Sequence, residues 1–529
     1  MIPSVLISAP TSSAGKTTLT CAFASFLKKN GHSPAVLKVG PDYIDPLFHS
    51  EISESLTGNL DLFFTPPQTV KNIFLRDTKD ADFAIVEGAM GLFDGEGGSS
   101  VRASAFDVAS VLGLPIVLVV DAAKKSLSLC AEIFGIIKFA EEESVKNQLS
   151  LPQKKSPIIA GVILNRASKT TYELLAPQIK KLCGLEVFGY LEDNPDFFVG
   201  SRHLGLVTPS DVEGIKEKIL NLASSAEKTI DFKRIIDFAK KNTESSEDFC
   251  APSFCSVFES ENSPACKVVR IAVPRDRAFC FYYRENLSLL ESFGAELCYF
   301  SPLKNEPLPK NCSGLYIGGG YPELFPAELS ENKISANSVR AFCRSGAPVF
   351  AECGGFLYLQ LLGLLPGSFE NKNHLVRFGY VELVCNEDNF LLKKGEKIRG
   401  HEFHYFDTTQ NGAAFTAKKV NGKTWECIQV ASPLQVMRPS CCQRGDKALR
   451  KKYRGGLSAI FILRQTRKSL RILWTRLSFL NPSKIQILQI LPVILVEIAQ
   501  IVRIARIAKA AQAKENAIVR AVRQNISVI

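Results

Sequence analysis

Uninterrupted apolar runs, separated by helical stretches, organise the first 220 residues of the chain. The runs are SVLISAP from residue 4, PAVLKVG from residue 34, DFAIVEGAMG from residue 82, PIVLVVDA from residue 115 and IIAGVILNRA from residue 158. Strands that are apolar along their whole length are buried on both faces, and helical connections between them favour a parallel sheet. The pattern predicts an α/β domain over residues 1–222.

A second α/β pattern begins after a polar segment. Residues 223–265 are rich in serine and charged residues, and this composition predicts a linker that contains one short helix. The runs KVVRIAVPRD from residue 267, GLYIGGGYPE from residue 314 and APVFAECGGFLYL from residue 347 predict another α/β domain over residues 266–430. A chain of 529 residues is long enough for two such domains.

The end of the first apolar run carries a Gly-Lys-Thr sequence, and this placement predicts a phosphate-binding loop. The stretch SAPTSSAGKTTLT spans residues 8–20 and leads into a helical segment. A helix N-terminus attracts phosphates through its unpaired backbone N–H groups and its positive dipole end. We expect Lys16 to contact the outer phosphates of ATP and Thr17 to hold Mg²⁺. Pro10 occupies the place of the usual first glycine, so a chance match is the alternative. The expected ATP-binding residues are Ser12, Ser13, Ala14, Gly15, Lys16, Thr17 and Thr18.

Two further loops follow apolar runs of the first domain. Glu87 ends the third run, where a carboxylate can reach Mg²⁺, and a solvated acid at a strand end is the plain alternative. The segment LKVGPDYIDPLFH, residues 37–49, gathers aspartates, an aromatic ring and a histidine in one short stretch. Sheets of this kind bind ligands at the carboxyl ends of their strands. The candidates for contacts with a substrate or a transition state are Lys38, Asp42, Asp45 and His49.

The second domain contains a candidate nucleophile. Cys353 stands between an apolar run and a helical stretch, and Gly354 and Gly355 follow it. Such a turn exposes a nucleophile, and the helix N-terminus lowers the pKa of a thiol. A buried structural cysteine is the alternative, because the chain has fifteen cysteines. The glycine-rich loop YIGGGYPE predicts an oxyanion hole formed by the backbone N–H groups of Gly319 and Gly320.

Basic residues are concentrated at one end of the chain. Residues 440–529 hold 18 Lys and Arg against 3 Asp and Glu, whereas the net charge of the whole chain is +11. The remainder is slightly acidic, so we do not expect a nucleic acid as a partner. Gln489, Pro492 and Glu497 interrupt the apolar stretch of this tail, which falls short of a membrane-spanning helix. A basic amphipathic helix on a membrane surface is the alternative interpretation.

The N-terminus and the cysteine spacing indicate the cell compartment. MIPSVLISAP has no basic segment before its apolar residues and predicts a first strand rather than a signal peptide. The cysteines form no Cys-x-x-Cys pair, so a structural zinc site is not expected. These features predict a cytoplasmic protein with reduced thiols.

Four motifs together resemble the cobyrinate a,c-diamide synthase family. They are KVGPDYIDPLFH at 38–49, NLDLF at 59–63, VEGAMGLFDG at 86–95 and SRHLGL at 201–206, and the resemblance spans about residues 1–430. It implies a P-loop synthetase domain of the dethiobiotin-synthetase type, followed by an α/β domain that is similar to class I glutamine amidotransferases. Phosphate loops of this family also accept proline at the position of Pro10.

The resemblance implies ATP- and glutamine-dependent amidation of the a and c carboxylates of cobyrinate in cobalamin biosynthesis, with ATP and Mg²⁺ as cofactors. ATP turns the carboxylate into an acyl phosphate that ammonia attacks, and Lys16 and Lys38 stabilise charge. The implied catalytic residues are Cys353, Lys16, Lys38 and Asp45. The implied substrate-binding residues are Asp42, Tyr43, Asp45 and His49, and the implied metal ligands are Thr17, Asp45 and Glu87. His401 and His404 are expected to be structural or to face the substrate.

The expected catalytic histidine of the amidotransferase is missing. A thiolate nucleophile needs a histidine base, which the resemblance places near the C-terminus, but the last of the six histidines is His404. When the codons for Ala459 to Thr475 are read one nucleotide earlier, permitted third bases give H-F-H-S-P-P-N-P, which has the spacing of the family. We therefore predict that residues 431–529 are a non-family tail from a reading frame displaced within 428–458, and that glutaminase activity is impaired.

Three other functions share part of this pattern. Nickel-sirohydrochlorin a,c-diamide synthase and cobyric acid synthase amidate related tetrapyrroles. The GPDYIDPLFH segment disfavours cobyric acid synthase, but it does not distinguish cobyrinate a,c-diamide synthase from the nickel-sirohydrochlorin enzyme. A P-loop ATPase switch of the partitioning type shares the Gly-Lys-Thr loop. It does not explain Cys353 or the segment 37–49.

Overall fold

The computed structural model describes residues 1–53, 57–150, 159–194, 214–244, 269–292, 294–389, 392–428 and 460–462. The chain divides into two compact units, Met1–Val257 and Phe258–Ile529. Among the described residues, no helix has the length and apolar character needed to span a membrane.

The first unit is built on a parallel sheet of seven strands, as the apolar runs predicted. The strands are β1 (Ser4–Ser8), β2 (Pro34–Val39), β3 (Gly58–Leu60), β4 (Phe83–Glu87), β5 (Ile116–Asp121), β6 (Ile159–Asn165) and β7 (Glu186–Leu191). Their order across the sheet is β3-β2-β4-β1-β5-β6-β7, and every pairing is parallel. The carboxyl ends of β1, β2 and β4 therefore lie side by side.

Helices cover both faces of this sheet. They are α1 (Lys16–Lys29), α2 (Ile44–Ser53), α3 (Pro67–Asp77), α4 (Ala105–Leu112), α5 (Ser128–Ser150), α6 (Lys169–Cys183), α7 (Ile215–Thr229) and α8 (Phe232–Glu244). Neighbouring residues of β1 belong to different cores: Leu6 packs in one, while Val5 and Ile7 pack in the other. Alternate side chains of a strand point to opposite faces, so the continuous apolar runs reflect burial on both sides.

The segment predicted as a linker, 223–265, is helical in its described part and belongs to the first unit. Helix α7 continues to Thr229, and α8 buries Phe232, Ile235, Ile236 and Ala239 against the core that contains Val5 and Ile7. These four positions follow the helical spacing i, i+3, i+4, i+7, so a narrow apolar stripe holds the helix while most of its residues stay polar. Polar composition alone concealed the stripe. Residues 245–265 lie outside the described residues.

The second unit combines a parallel sheet with smaller antiparallel sheets. Its strands are β8 (Val269–Pro274), β9 (Ala295–Phe300), β10 (Gly314–Ile317), β11 (Val349–Ala351), β12 (Phe369–Asn371), β13 (Arg377–Cys385), β14 (Lys397–His404), β15 (Phe406–Thr408), β16 (Phe415–Lys418), β17 (Thr424–Cys427) and β18 (Ile460–Ile462). Its helices are α9 (Arg284–Ser292), α10 (Pro326–Glu331), α11 (Lys333–Arg344) and α12 (Gly354–Leu361). The parallel sheet has the order β18-β11-β10-β8-β9, and an antiparallel sheet has the order β14-β13-β16-β17. Both α/β patterns of the sequence thus correspond to sheets with helices.

One short part of the basic tail lies in this parallel sheet. Strand β18 pairs with β11 in parallel, with Val349 opposite Ile460 and Ala351 opposite Ile462. Because Cys353 follows β11 closely, the carboxyl end of β18 reaches the sheet edge that carries the candidate nucleophile. The other predictions for 431–529, including a membrane-surface helix, fall outside the described residues, as does the SRHLGL motif.

Candidate active site

The phosphate loop predicted from the Gly-Lys-Thr sequence joins β1 to α1. Gly15 has a φ of +98°, and a Cβ at this position would lie 2.2 Å from Nδ2 of Asn165. The same Asn165 amide donates a hydrogen bond to the carbonyl oxygen of Ala14 at 2.8 Å. Ser13 also has a left-handed φ of 60°, which explains why glycine is common at this point in such loops. Sequence reasoning missed Asn165, although it ends an apolar run in the same way as Glu87.

Lys16 is held by two backbone carbonyls. Its Nζ donates to the carbonyl oxygen of Thr11 at 3.0 Å and to that of Met90 at 2.5 Å. Burial, together with the positive charge of Lys38, lowers the pKa of Lys16 to about 8. A phosphate would replace neutral carbonyls with charged oxygens, so binding ATP would favour the protonated lysine.

Glu87 connects the phosphate loop to the predicted substrate loop. Its Oε1 accepts hydrogen bonds from Oγ1 of Thr17 and from Nζ of Lys38, both at 2.7 Å. Its Oε2 lies 2.7 Å from Nε2 of His49. Burial alone would raise the pKa of Glu87, but Lys38 and His49 outweigh it and hold this pKa well below its usual range. The buried carboxylate is therefore ionised and has partners on both oxygens.

Lys38 ties the substrate loop to this carboxylate. Its Nζ also donates to Oδ2 of Asp45 and lies 3.8 Å from Oδ2 of Asp42. Burial would lower the pKa of Lys38, but Asp45 and Glu87 together hold it well above its usual range. The lysine is thus a charged group fixed among carboxylates.

The start of α2 is shaped by local hydrogen bonds. Oδ1 of Asp42 accepts from the backbone N–H groups of Ile44 at 2.8 Å and Asp45 at 3.2 Å, as a helix-capping side chain does. Asn59 donates to the carbonyl oxygens of Gly40 at 2.8 Å and Asp42 at 2.7 Å. This contact gives the NLDLF motif a structural role, namely to hold the loop in place.

The predicted site residues of the first unit do not all face outward. Thr17, Lys38, Asp45 and Glu87 lie together, whereas His49 is 1% exposed and contacts Glu87. Its position suits support of the Glu87 carboxylate more than contact with a substrate. Asp42 and Tyr43 remain partly exposed on the same loop.

The donor atoms around Thr17 suit Mg²⁺. The ion prefers hard oxygen ligands and usually keeps several waters and phosphate oxygens, so a hydroxyl and a carboxylate are a sufficient protein contribution. Thr17 and Glu87 supply these two groups. The described residues contain no group of three or more His, Cys, Asp or Glu that would form an all-protein metal cage.

Cys353 forms the sharp turn that the sequence predicted between β11 and α12. Its φ is 51° and its ψ is −116°, a conformation that a residue with a side chain rarely adopts. Strain of this kind is typical of nucleophile turns, in which the side chain stands clear of the strand and the helix. The N-terminus of α12 follows directly and favours a thiolate.

The glycine loop after β10 lies against this cysteine. A Cβ at Gly319 would be 3.2 Å from Cβ and 3.5 Å from Sγ of Cys353. However, the N–H of Gly319 already donates to the carbonyl oxygen of Phe281 at 3.2 Å, so it does not fit the predicted role of an oxyanion donor. The N atom of Gly320 lies 3.2 Å from the Cβ position of Gly354. Gly320 therefore remains the candidate of the predicted pair, next to the first N–H of α12.

Two tyrosines that sequence reasoning missed support this arrangement from behind. The hydroxyl of Tyr282 accepts from the N–H of Gly318 at 3.0 Å and donates to the carbonyl oxygen of Pro274 at 2.5 Å. The hydroxyl of Tyr316 donates to Oε1 of Glu352 at 2.5 Å, and the two tyrosine rings meet edge to face at 5.3 Å. Burial raises the pKa of Glu352 to about 8.

Two of the three histidines of the second unit, His401 and His404, lie on β14, and His374 precedes β13. The His401 ring packs edge to face against Phe378 at 6.0 Å and Tyr380 at 5.8 Å, and Nδ1 of His404 lies 2.6 Å from the carbonyl oxygen of Phe406. Strand β18, next to the nucleophile strand, has the sequence Ile-Phe-Ile. The sequence has no histidine after His404, so β18 and the residues that follow it supply none.

Comparisons with known proteins match both units. The family model described as "CobQ/CobB/MinD/ParA nucleotide binding domain" matches residues 5–206, and that described as "CobB/CobQ-like glutamine amidotransferase domain" matches residues 270–431.

Full-length relatives match as well. Cobyrinate a,c-diamide synthase from Clostridium tetani is 40% identical over 412 residues, which cover 76% of this chain and 87% of that protein. The protein of the same name from Dehalococcoides mccartyi strain CBDB1 is 38% identical over 416 residues, covering 76% and 86%. That from Fusobacterium nucleatum is 37% identical over 445 residues, covering 80% and 93%. The chain belongs to the cobyrinate a,c-diamide synthase family.

Proposed function

We propose that this protein amidates the a and c carboxylates of cobyrinate in an ATP-dependent ligase reaction of cobalamin biosynthesis. The observation that carries the proposal is the junction at Glu87, where the phosphate loop and the substrate loop meet through Thr17 and Lys38. A carboxylate substrate on the loop 37–49 would thus lie beside the terminal phosphate of ATP. Membership of the family supports the choice of substrate.

The synthetase reaction begins with attack of a substrate carboxylate oxygen on the terminal phosphorus of ATP. The acyl phosphate then has a good leaving group, and ammonia displaces phosphate to give the amide. Lys16 would move from the carbonyls of Thr11 and Met90 to the transferring phosphoryl group and stabilise its charge. Mg²⁺, when bound at Thr17 and Glu87, supplies further neutralisation of phosphate charge. Asp42, Tyr43 and Asp45 would orient the substrate.

The amidotransferase reaction supplies the ammonia. The Cys353 thiolate attacks the carboxamide carbon of glutamine, the developing oxyanion is bound by backbone N–H groups such as that of Gly320, and ammonia leaves. Water then hydrolyses the thioester to glutamate. Removing the proton of the Cys353 thiol and activating the hydrolytic water both require a base near Cys353.

The displaced reading frame would remove that base. When the codons are read one nucleotide earlier, those that span residues 459/460 and 461/462 permit histidine. Codons 460–462 encode strand β18, which pairs with β11. This pairing supports the proposal that the displaced frame has removed the histidine from a strand that neighbours β11. The synthetase reaction would then depend on free ammonia.

The experiment is an amidation assay with purified protein, Mg-ATP and ammonium chloride, in which mass spectrometry counts the amides on the product. Cobyrinate and nickel-sirohydrochlorin are supplied in separate reactions, and the Lys16→Ala variant is the control. Two amides on cobyrinate and none on nickel-sirohydrochlorin are expected. Turnover of the nickel compound alone would assign the sibling activity, and no turnover of either would refute the proposal.

A further inference from the structure

A short 3-10 turn, Pro322–Leu324, lies directly against the nucleophile turn of the second unit. A Cβ at Gly354 would be 2.6 Å from Cδ and 3.0 Å from Cγ of Pro322, so the two segments are in van der Waals contact. The 3-10 turn also follows the glycine loop that touches Cys353. Glu323, the middle residue of the turn, therefore follows directly after the proline that packs against the residue next to Cys353.

The carboxylate of Glu323 lacks the partners that buried acids normally have. Its Oε2 atom is buried and makes no hydrogen bond, and the ion pairs among the described residues do not include Glu323. Its own backbone N–H favours the charged form, but burial outweighs this and raises the pKa to about 7. The Glu323 side chain is partly exposed, but a buried carboxylate oxygen without a partner costs free energy and calls for an explanation.

The neighbouring acid Glu352 is a useful contrast. It is buried and precedes Cys353 in the sequence, but its carboxyl group accepts a hydrogen bond from the hydroxyl of Tyr316, and this contact belongs to the packing behind the turn. Glu323 has no equivalent contact. Of these two acids, Glu323 is thus the one with a buried oxygen left for a ligand.

We propose that Glu323 binds the α-ammonium group of glutamine and so places the carboxamide of that substrate over Cys353. The inference rests on the proposed glutaminase reaction. Glutamine differs from other primary amides in its amino-acid head, and the ammonium of that head is its cationic group, at the other end of a short side chain from the carboxamide. A carboxylate near the nucleophile turn, with one oxygen free of protein partners, is complementary to it in charge and hydrogen bonding.

The test compares two ligands and two proteins by titration calorimetry on the full chain. The ligands are L-glutamine and 4-carbamoylbutanoate, which keeps both ends of glutamine but lacks its amino group; the proteins are the unmodified chain and Glu323→Gln. Either change alone is expected to weaken binding by at least about 30-fold, because each leaves one member of a desolvated charge pair without its partner. In the Glu323→Gln variant, the two ligands should bind within about 3-fold of each other.

Two controls separate this role from support of the fold. Iodoacetamide has no amino-acid head, so its rate of alkylation of Cys353 should be unchanged in Glu323→Gln. Glu328→Gln, an exposed acid on α10, should leave glutamine binding unchanged.

The proposal is overturned if the unmodified chain binds both ligands equally, a result that needs no variant. It is also overturned if Glu323→Gln binds glutamine normally, or if the unmodified chain binds no glutamine. Amidation with ammonium chloride is measured in parallel. If it proceeds while the glutamine-binding results fail, the proposal for Glu323 is wrong but the proposed synthetase function stands.

Discussion

Removal of the Lys38 ammonium group should destabilise the first unit strongly. In the Lys38→Met variant, the fully buried Glu87 would lose one of its partners, and Asp45 would remain close by without a cation. Removing one member of a buried ion pair typically costs about 3–5 kcal/mol, because the other charge stays in a medium of low polarity. For a unit of this size, 1 kcal/mol corresponds to about 2–4 °C in Tm, so we expect a fall of about 6–20 °C.

The assay is thermal unfolding of the full chain, with and without Mg-ATP to identify the transition of the nucleotide-binding unit. The double variant Lys38→Met/Glu87→Gln should recover much of the loss, since the amide removes the charge without changing the shape. Lys29→Met is the matched control: Lys29 forms an exposed pair with Glu227 and should change Tm by less than about 2 °C.

The pH dependence gives the sign of the electrostatic effect. Lys38 and His49 depress the folded-state pKa of Glu87, so in the unmodified chain this group contributes stability above its unfolded pKa and loses it as the pH falls. Without Lys38 that contribution shrinks or reverses, so the difference in Tm between the two proteins should narrow at acidic pH. The reasoning is refuted if Lys38→Met melts within about 2 °C of the unmodified chain, or if Glu87→Gln restores nothing.

Four further outcomes are expected. Because the pKa of Lys16 is about 8, calorimetry in buffers of different ionisation enthalpy should show uptake of about half a proton when ATP binds at pH 8, and none in Lys16→Arg; equal uptake in both would contradict the assignment. Gly320→Ala should lower the Tm of the transition that Mg-ATP does not shift, since its φ is +146° and its Cβ would lie 2.2 Å from the carbonyl oxygen of Ala278; an unchanged Tm would count against the loop geometry. Ammonium chloride should support amidation far better than glutamine, and equal rates would sink the missing-base argument. DNA sequencing across codons 425–475 should show a displaced frame, and an uninterrupted frame that encodes this chain would end that proposal.

The parts of the structure that sequence predicted well depend on local chemistry. An apolar run followed by Gly-Lys-Thr and a helical segment specifies the strand, the loop and the helix start in one continuous stretch, and the same holds for the turn at Cys353. The parts it missed depend on contacts between distant residues. Asn165 meets Ala14 across 151 residues, and Tyr282 meets Gly318 across 36. No local pattern marks such a pair, because either residue would fit its own strand or loop equally well without the other.

The sequence predicted the same role, charge stabilisation, for Lys16 and Lys38, but their surroundings in the structure differ. Lys16 contacts neutral carbonyls and has a lowered pKa, so it can exchange these partners for phosphate at little electrostatic cost. Lys38 is held among Asp45 and Glu87 with a raised pKa, so moving it to a phosphate would leave the buried Glu87 and the partly buried Asp45 without their cation. Lys16 is therefore the group suited to follow the transferring phosphoryl, and Lys38 is suited to hold the loop and Glu87 in register. Loss of Lys16 should accordingly abolish turnover while leaving the fold intact, whereas loss of Lys38 should damage both.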